Sequence, residues 1–242
     1  MRPWKTFRTA GTALLALILV AVVWTRSERE EAVSRAGERM VPAGPAAVES
    51  GTVPFAEAVE RLTVAAESEG KPYERERFRL YQDVDGDGCD ARREVLITQA
   101  VTPPSVRQPG CELSGGEWVS PYDGKRSTDP GELQIDHVVA LKEAWESGAW
   151  EWESARLVEY GSFLEDPGHL VAVSGESNSA KGHADPAEWL PSNEAYVCRY
   201  LADWVGVKLR WGLSADEREM RVLRSFAEAG SGECGREPVR GG

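Results

Sequence analysis

Gln134-Ile135-Asp136-His137-Val138-Val139-Ala140-Leu141 is an apolar, strand-like run that sets an aspartate directly beside a histidine. Downstream comes Asn178-Ser179-Ala180-Lys181-Gly182. A carboxylate and an imidazole, joined by an amide and an amine, supply what metal-assisted phosphodiester hydrolysis requires. It needs oxygen donors for a hard cation, a base near neutral pH and positive charge for phosphate. All three histidines, His137, His169 and His183, fall in this one region, and a single site accounts for the clustering. Adjacent strand residues point to opposite faces, so Asp136 and His137 share a pocket only at a strand end or a bulge. From spacing alone, a surface aspartate beside a half-buried histidine explains the dipeptide equally well.

Outward from this run, residues 133–141 read as a strand and residues 169–173 as a second, ended by Ser174-Gly175 and followed by a short helix from Ser177. The aromatic-rich interval 141–163 reads as one or two core helices. Strand, insert, strand, short helix is a ββα order. Upstream, residues 55–66 have helical apolar spacing, whereas 78–81, 95–100 and 117–119 look like short strands between Gly and Pro turns. Downstream, Asp185-Pro186 opens a further helix, a long helix runs from Pro191-Ser192 to Trp211, and Ser214 caps a last one to about Ala229.

The chain of 242 residues is 41% hydrophobic and 28% charged, enough for one domain and an appendage. Arg2, Lys5 and Arg8 precede an apolar run over 10–24, so residues 1–25 read as a signal peptide or signal-anchor helix. Residues 26–50, charged and rich in Ala, Gly and Pro, read as a flexible linker, leaving 51–242 as the folded domain. Such a chain leaves the cytoplasm, to be secreted or held at the membrane by its N-terminal segment. Its four cysteines then favour disulfides, with Cys89–Cys111 and Cys198–Cys234 the expected pairs. The net charge of −12 repels a polyanion at long range. A bound dication and a few local basic groups can outweigh that at contact. A hydrolase with a nucleophilic serine or cysteine has no supporting motif.

A second acidic segment, Asp83-Val84-Asp85-Gly86-Asp87-Gly88-Cys89-Asp90-Ala91-Arg92-Arg93-Glu94, matches the D-x-D-x-D-G-x5-E calcium loop at every specified position. Asp83, Asp85, Asp87 and Glu94 are its candidate ligands. A strand at 95–100 would argue against a paired EF-hand, and acidic glycine-rich turns also occur without an ion.

Taken in order, 136–141, 166–170, 177–182 and 185–191 resemble the HNH (ββα-metal) endonucleases, most closely the exported bacterial group related to the C-terminal domain of GmrSD-type restriction endonucleases. The likeness extends to Asp87-Gly88-Cys89-Asp90-Ala91-Arg92 and Trp118-Val119-Ser120-Pro121-Tyr122-Asp123-Gly124, and covers roughly 72–225. It implies an α+β fold: a disulfide-stabilised ββα-metal (HNH) core with additional helices and short strands. It implies His137 as general base, and Asp136 and Asn178 as ligands of a divalent metal, Mg2+ with Mn2+ or Ca2+ as alternatives. Lys181 and Arg92 would contact phosphate. His169 stands where the family usually has an asparagine that orients the strands and the catalytic imidazole. The implied activity is metal-dependent endonucleolysis of nucleic acid, DNA rather than RNA, with no obligate protein partner. The competing expectation is a non-enzymatic, calcium-stabilised envelope binding module on a degenerate HNH scaffold.

Overall fold

The computed structural model describes residues 51–68, 70–228 and 234–240. The expected export segment and linker lie outside the described residues. No helix among the described residues is long and apolar enough to cross a membrane.

The fold is α+β, with strands β1 (Val53–Pro54) and β2 (Thr63–Val64) flanking helix α1 (Phe55–Val59). A single 3-10 turn, Arg75–Phe78, precedes α2 (Ala91–Thr98), the hairpins β3 (Ser105–Arg107)–β4 (Glu112–Ser114) and β5 (Trp118–Val119)–β6 (Arg126–Ser127), and β7 (Leu133–His137). Helices α3 (Leu141–Glu146) and α4 (Ser154–Gly161) separate β7 from β8 (Leu170–Ser174), and α5 (Gly175–Lys181) follows at once. The chain continues through α6 (Glu194–Trp211), β9 (Ser214–Ala215), α7 (Glu217–Glu228) and β10 (Pro238–Val239).

The pair β7–β8 is the centre of the arrangement. It is antiparallel, from Leu133 opposite Ser174 to His137 opposite Leu170. Both faces are covered, which explains why β8 is an unbroken apolar run rather than an alternating one. Val171 and Val173 join Val138, Val139 and the buried stripe of α6 in the main core. Leu170 and Ala172 join Leu133, Ile135, Trp118 and the inner face of α2 in a smaller one. Ser174 then caps α5, its hydroxyl accepting from Ser177 N at 3.2 Å, and this fixes where the helix leaves the strand. The long α6 stops at Gly212, which takes the left-handed conformation (φ 66°) needed for the terminal carbonyls to be capped. Disulfides join Cys89 to Cys111 and Cys198 to Cys234.

Several elements differ from the sequence reading. Residues 95–100, expected as a strand, lie largely in α2. The β-branched run is overruled by Asp90, whose carboxylate accepts from Arg93 N at 2.9 Å as an N-cap, and by burial of Ala91, Val95 and Leu96 on one helical face. The expected strand at 78–81 is the end of a 3-10 turn followed by two left-handed residues, Arg79 (φ 42°) and Tyr81 (φ 58°). The helix expected over 55–66 ends at Val59, because Thr63 and Val64 pair in parallel with Ser214 and Ala215. That pairing also takes Ser214 away from the last helix, which Asp216 caps instead by accepting from Glu219 N at 2.7 Å. At Asp185-Pro186 only one turn forms; Trp189 leaves it to pack edge-on against Tyr122 and Tyr200.

Candidate active site

Because β7 ends at His137 and the chain turns there toward α3, strand alternation no longer separates Asp136 from His137. Both line one pocket of about 180 Å³, together with Asn178 from α5 and with Arg75 and Tyr81 from the loop before α2.

His137 is 6% exposed, and its Nε2 lies 3.3 Å from Gly161 O. A carbonyl can only accept, so the proton of the neutral ring sits on Nε2 and the Nδ1 lone pair is left as the base. Nδ1 has no partner among the described residues. Burial, followed by the neighbouring His169 ring, holds the His137 pKa well below its ordinary value, so the imidazole is neutral at pH 7.

Asp136 is tightly held. Lys181 Nζ lies 2.9 Å from Oδ1 and 2.8 Å from Oδ2, and Tyr122 OH donates to Oδ2 at 2.6 Å. Burial pushes the Asp136 pKa up, and Lys181 and Tyr122 oppose this by stabilising the carboxylate. Lys181 is 1% exposed and also donates to His137 O at 2.9 Å. The lysine expected on phosphate is therefore a buried counter-ion. Asn178 Nδ2 donates to Gln134 Oε1 at 2.6 Å, which orients the amide and leaves its Oδ1 without a partner among the described residues.

His169 does not line the pocket. It is 1% exposed in a cage formed by Tyr160, Phe163 and Trp211, edge-on to His137 at 5.8 Å between ring centres. Its Nε2 donates to Tyr160 O at 2.8 Å, while its carbonyl accepts from Val138 N at 3.1 Å. It braces the chain behind His137 rather than lining the pocket. Burial pushes its pKa down to about 4 from 6.5. Between those values the unfolded chain binds a proton that the folded chain refuses, so stability is lost as pH falls through this window, by about 3 kcal/mol. His169→Asn keeps a donor for Tyr160 O without the titration. Its thermal midpoint is expected to fall less than that of the parent between neutral and about pH 4.5. An equal fall in both proteins would count against this account.

Arg92 is also placed elsewhere: its guanidinium donates to Pro130 O at 3.1 Å and Leu133 O at 2.8 Å, pinning the entry to β7. Its charge is thereby spent on two carbonyls, and the nearby ion pair with Asp90 is made by Arg93. His183 lines a separate acidic cavity with Glu67, Asp185 and Asp216, so the three histidines do not form one site.

In the acidic loop, Asp83 accepts from Gly86 N at 2.8 Å and Gly88 N at 3.0 Å, and Asp87 accepts from Cys89 N at 2.7 Å. Oxygens of Asp83, Asp85 and Asp87 lie within 4.8 Å of one another, and oxygens of Asp87 and Glu94 approach as closely beside the disulfide sulfur of Cys89. Glu94 stands in the first turn of α2, so a helix follows the loop where a strand was expected.

The donors in the pocket suit a hard divalent ion. Asp136 and Asn178 offer oxygens, and of the roughly four lone-pair positions on a carboxylate the three contacts of Asp136 leave one, on Oδ1. Sequence reasoning missed Arg75, Tyr81 and the carboxylate-orienting Tyr122. Tyr122 lies in a motif quoted for the resemblance; Arg75 and Tyr81 lie in a charged stretch with no distinguishing pattern.

Comparison with known proteins places residues 111–226 within the family model described as GmrSD restriction endonucleases, C-terminal domain. A protein of Arthroderma benhamiae (strain ATCC MYA-4681 / CBS 112371), described as an uncharacterized secreted protein, is 34% identical over 166 residues, 68% of this chain and 79% of that protein. No solved structure matches the chain.

Proposed function

The chain belongs to the family of the C-terminal domain of GmrSD restriction endonucleases, and from that membership we propose that it is an extracytoplasmic, metal-dependent endonuclease of the HNH type. Its substrate is nucleic acid, DNA rather than RNA, cut with little sequence preference. In this reading β7, β8 and α5 are the ββα-metal core, and residues 1–25 carry the domain out of the cytoplasm as leader or anchor. Two disulfides and the secreted relative support that location.

One observation carries the catalytic reading: a neutral, buried His137 with its Nε2 bonded and its Nδ1 unpartnered lines a pocket together with Asp136 and Asn178. His137 Nδ1 takes a proton from water as the water oxygen attacks phosphorus; the ester P–O bond opposite breaks, and the departing alkoxide oxygen takes a proton from solvent. Its Nε2–H bond to Gly161 O holds the ring in that tautomer, and the stacked ring of Tyr160 backs it. Asp136 and Asn178 would hold a divalent cation, Mg2+ with Mn2+ or Ca2+ as alternatives, which when bound supplies charge stabilisation to the phosphoryl and leaving oxygens. Tyr122 and Lys181 fix the carboxylate so that it need not reorganise during the reaction.

Supercoiled plasmid incubated with the protein is expected to be nicked in Mg2+ or Mn2+ and left intact in EDTA. Full cleavage in EDTA would sink the metal-dependent reading. A second reading draws on the pairing of Asp136 with Lys181 and on the converging carboxylates of 83–94: a calcium-stabilised binding module without catalysis. Calcium binding with no cleavage under any of the three cations would favour it.

A further inference from the structure

We propose that Arg75 is the phosphate-binding residue of this site, gripping the non-bridging oxygens of the scissile phosphodiester; the proposal rests on the nuclease reading. Lys181, the cation expected there, is sequestered on Asp136. The charged residues lining the pocket are then Arg75 and Asp136, and among the described residues Arg75 makes no ion pair. Arg75 is exposed, while the 3-10 turn that carries it is anchored by its neighbours. Phe78, at the other end of the same 3-10 turn, is fully buried against Trp145 and Tyr160. Arg77 lies over the Trp145 ring and donates to Trp152 O at 3.3 Å. On the far side Tyr81 lines the same pocket, its hydroxyl donating to Ile135 O at 3.2 Å. A bulky residue in the left-handed region is costly, and such strain is kept where the chain must take one particular path. That path brings Arg75 to the pocket that Asp136 and His137 also line. A planar guanidinium with five donors matches two phosphate oxygens at once, which an ammonium does not.

The test uses the full chain with Arg75→Ala, Arg75→Lys and, as a control, Arg221→Ala, an exposed arginine of α7 outside the pocket. Two quantities are read: plasmid nicking in Mg2+, and affinity for a fluorescent DNA duplex in EDTA by anisotropy across a salt series. Arg75→Ala is expected to lower kcat/KM about 10²-fold, as loss of a transition-state donor does. It should also weaken duplex affinity and reduce the slope of log affinity against log salt by about 0.9, one phosphate contact. Arg75→Lys should recover affinity better than rate, and Arg221→Ala should change neither. Unchanged nicking and affinity in Arg75→Ala, with nicking abolished in His137→Ala, would overturn the Arg75 assignment and leave the nuclease reading standing. Parent protein that neither nicks nor binds DNA would overturn both. A lowered thermal midpoint in Arg75→Ala, with equal loss in Arg75→Lys, would assign the residue a structural role instead.

Discussion

Replacing His137 with alanine is expected to reduce plasmid nicking by about 10²–10⁴-fold, the contribution of a positioned general base. The prediction follows from the ring's bonding. Nε2 is committed to Gly161 O, so Nδ1 is the basic atom, and burial keeps it unprotonated at pH 7. The ring also fills space against Tyr160 and His169, so the alanine variant carries some packing loss as well. Two measurements separate chemistry from folding. Binding of duplex DNA in EDTA should be nearly unchanged, and added imidazole should restore part of the nicking by entering the vacated space. Near-normal nicking by a folded His137→Ala protein would remove the residue from the mechanism.

Lys208→Met is expected to cost about 3–5 kcal/mol of stability, lowering the thermal midpoint by roughly 10 °C. Lys208, on α6, is fully buried, with Nζ 2.8 Å from Glu143 Oε1, 2.6 Å from Glu219 Oε2 and 2.8 Å from Ser214 O. Three separate segments are tied to that one nitrogen. Methionine fills similar volume but leaves two carboxylates buried without a cation. Burial already pushes the Glu219 pKa up to about 7, against the pull of Lys208. With the lysine gone, the Glu219 carboxyl is driven further toward its neutral form. A carboxyl whose folded pKa is raised keeps its stability below its unfolded pKa and loses it as pH rises. The deficit of Lys208→Met should therefore be larger at pH 8 than at about pH 5. A deficit independent of pH would mean that lost packing, rather than unpaired charge, is responsible.

The order strand, helical insert, strand, helix could be read from residues 133–181 because each element carries its own local signal. The β7 and β8 runs are apolar at strand length, and Ser174-Gly175 marks a cap. The cysteine pairs followed from export and chain proximity, although Cys89 and Cys111 bracket α2 rather than the strand their spacing suggested. The reading failed at 95–98, where the β-branched residues suggest a strand. The Asp90 cap and burial of one helical face against Trp118 and Leu170 make it a helix.

The family and the strand–insert–strand–helix order of residues 133–181 are legible in the sequence, since they depend on motifs whose parts lie within a few residues of one another. What each charged side chain does was decided only by tertiary packing. Lys181 sits on Asp136, Arg92 on two carbonyls and His169 in an aromatic cage, while Arg75 reaches the pocket from a loop that carries no motif. A charge makes its strongest contacts over a few ångströms, and the partners of Lys181 and Arg92 come from segments 38 to 45 positions away. Residue types along the chain set which chemistry is available. Which cation meets the carboxylate and which is left lining the pocket is settled only when those segments close on one another.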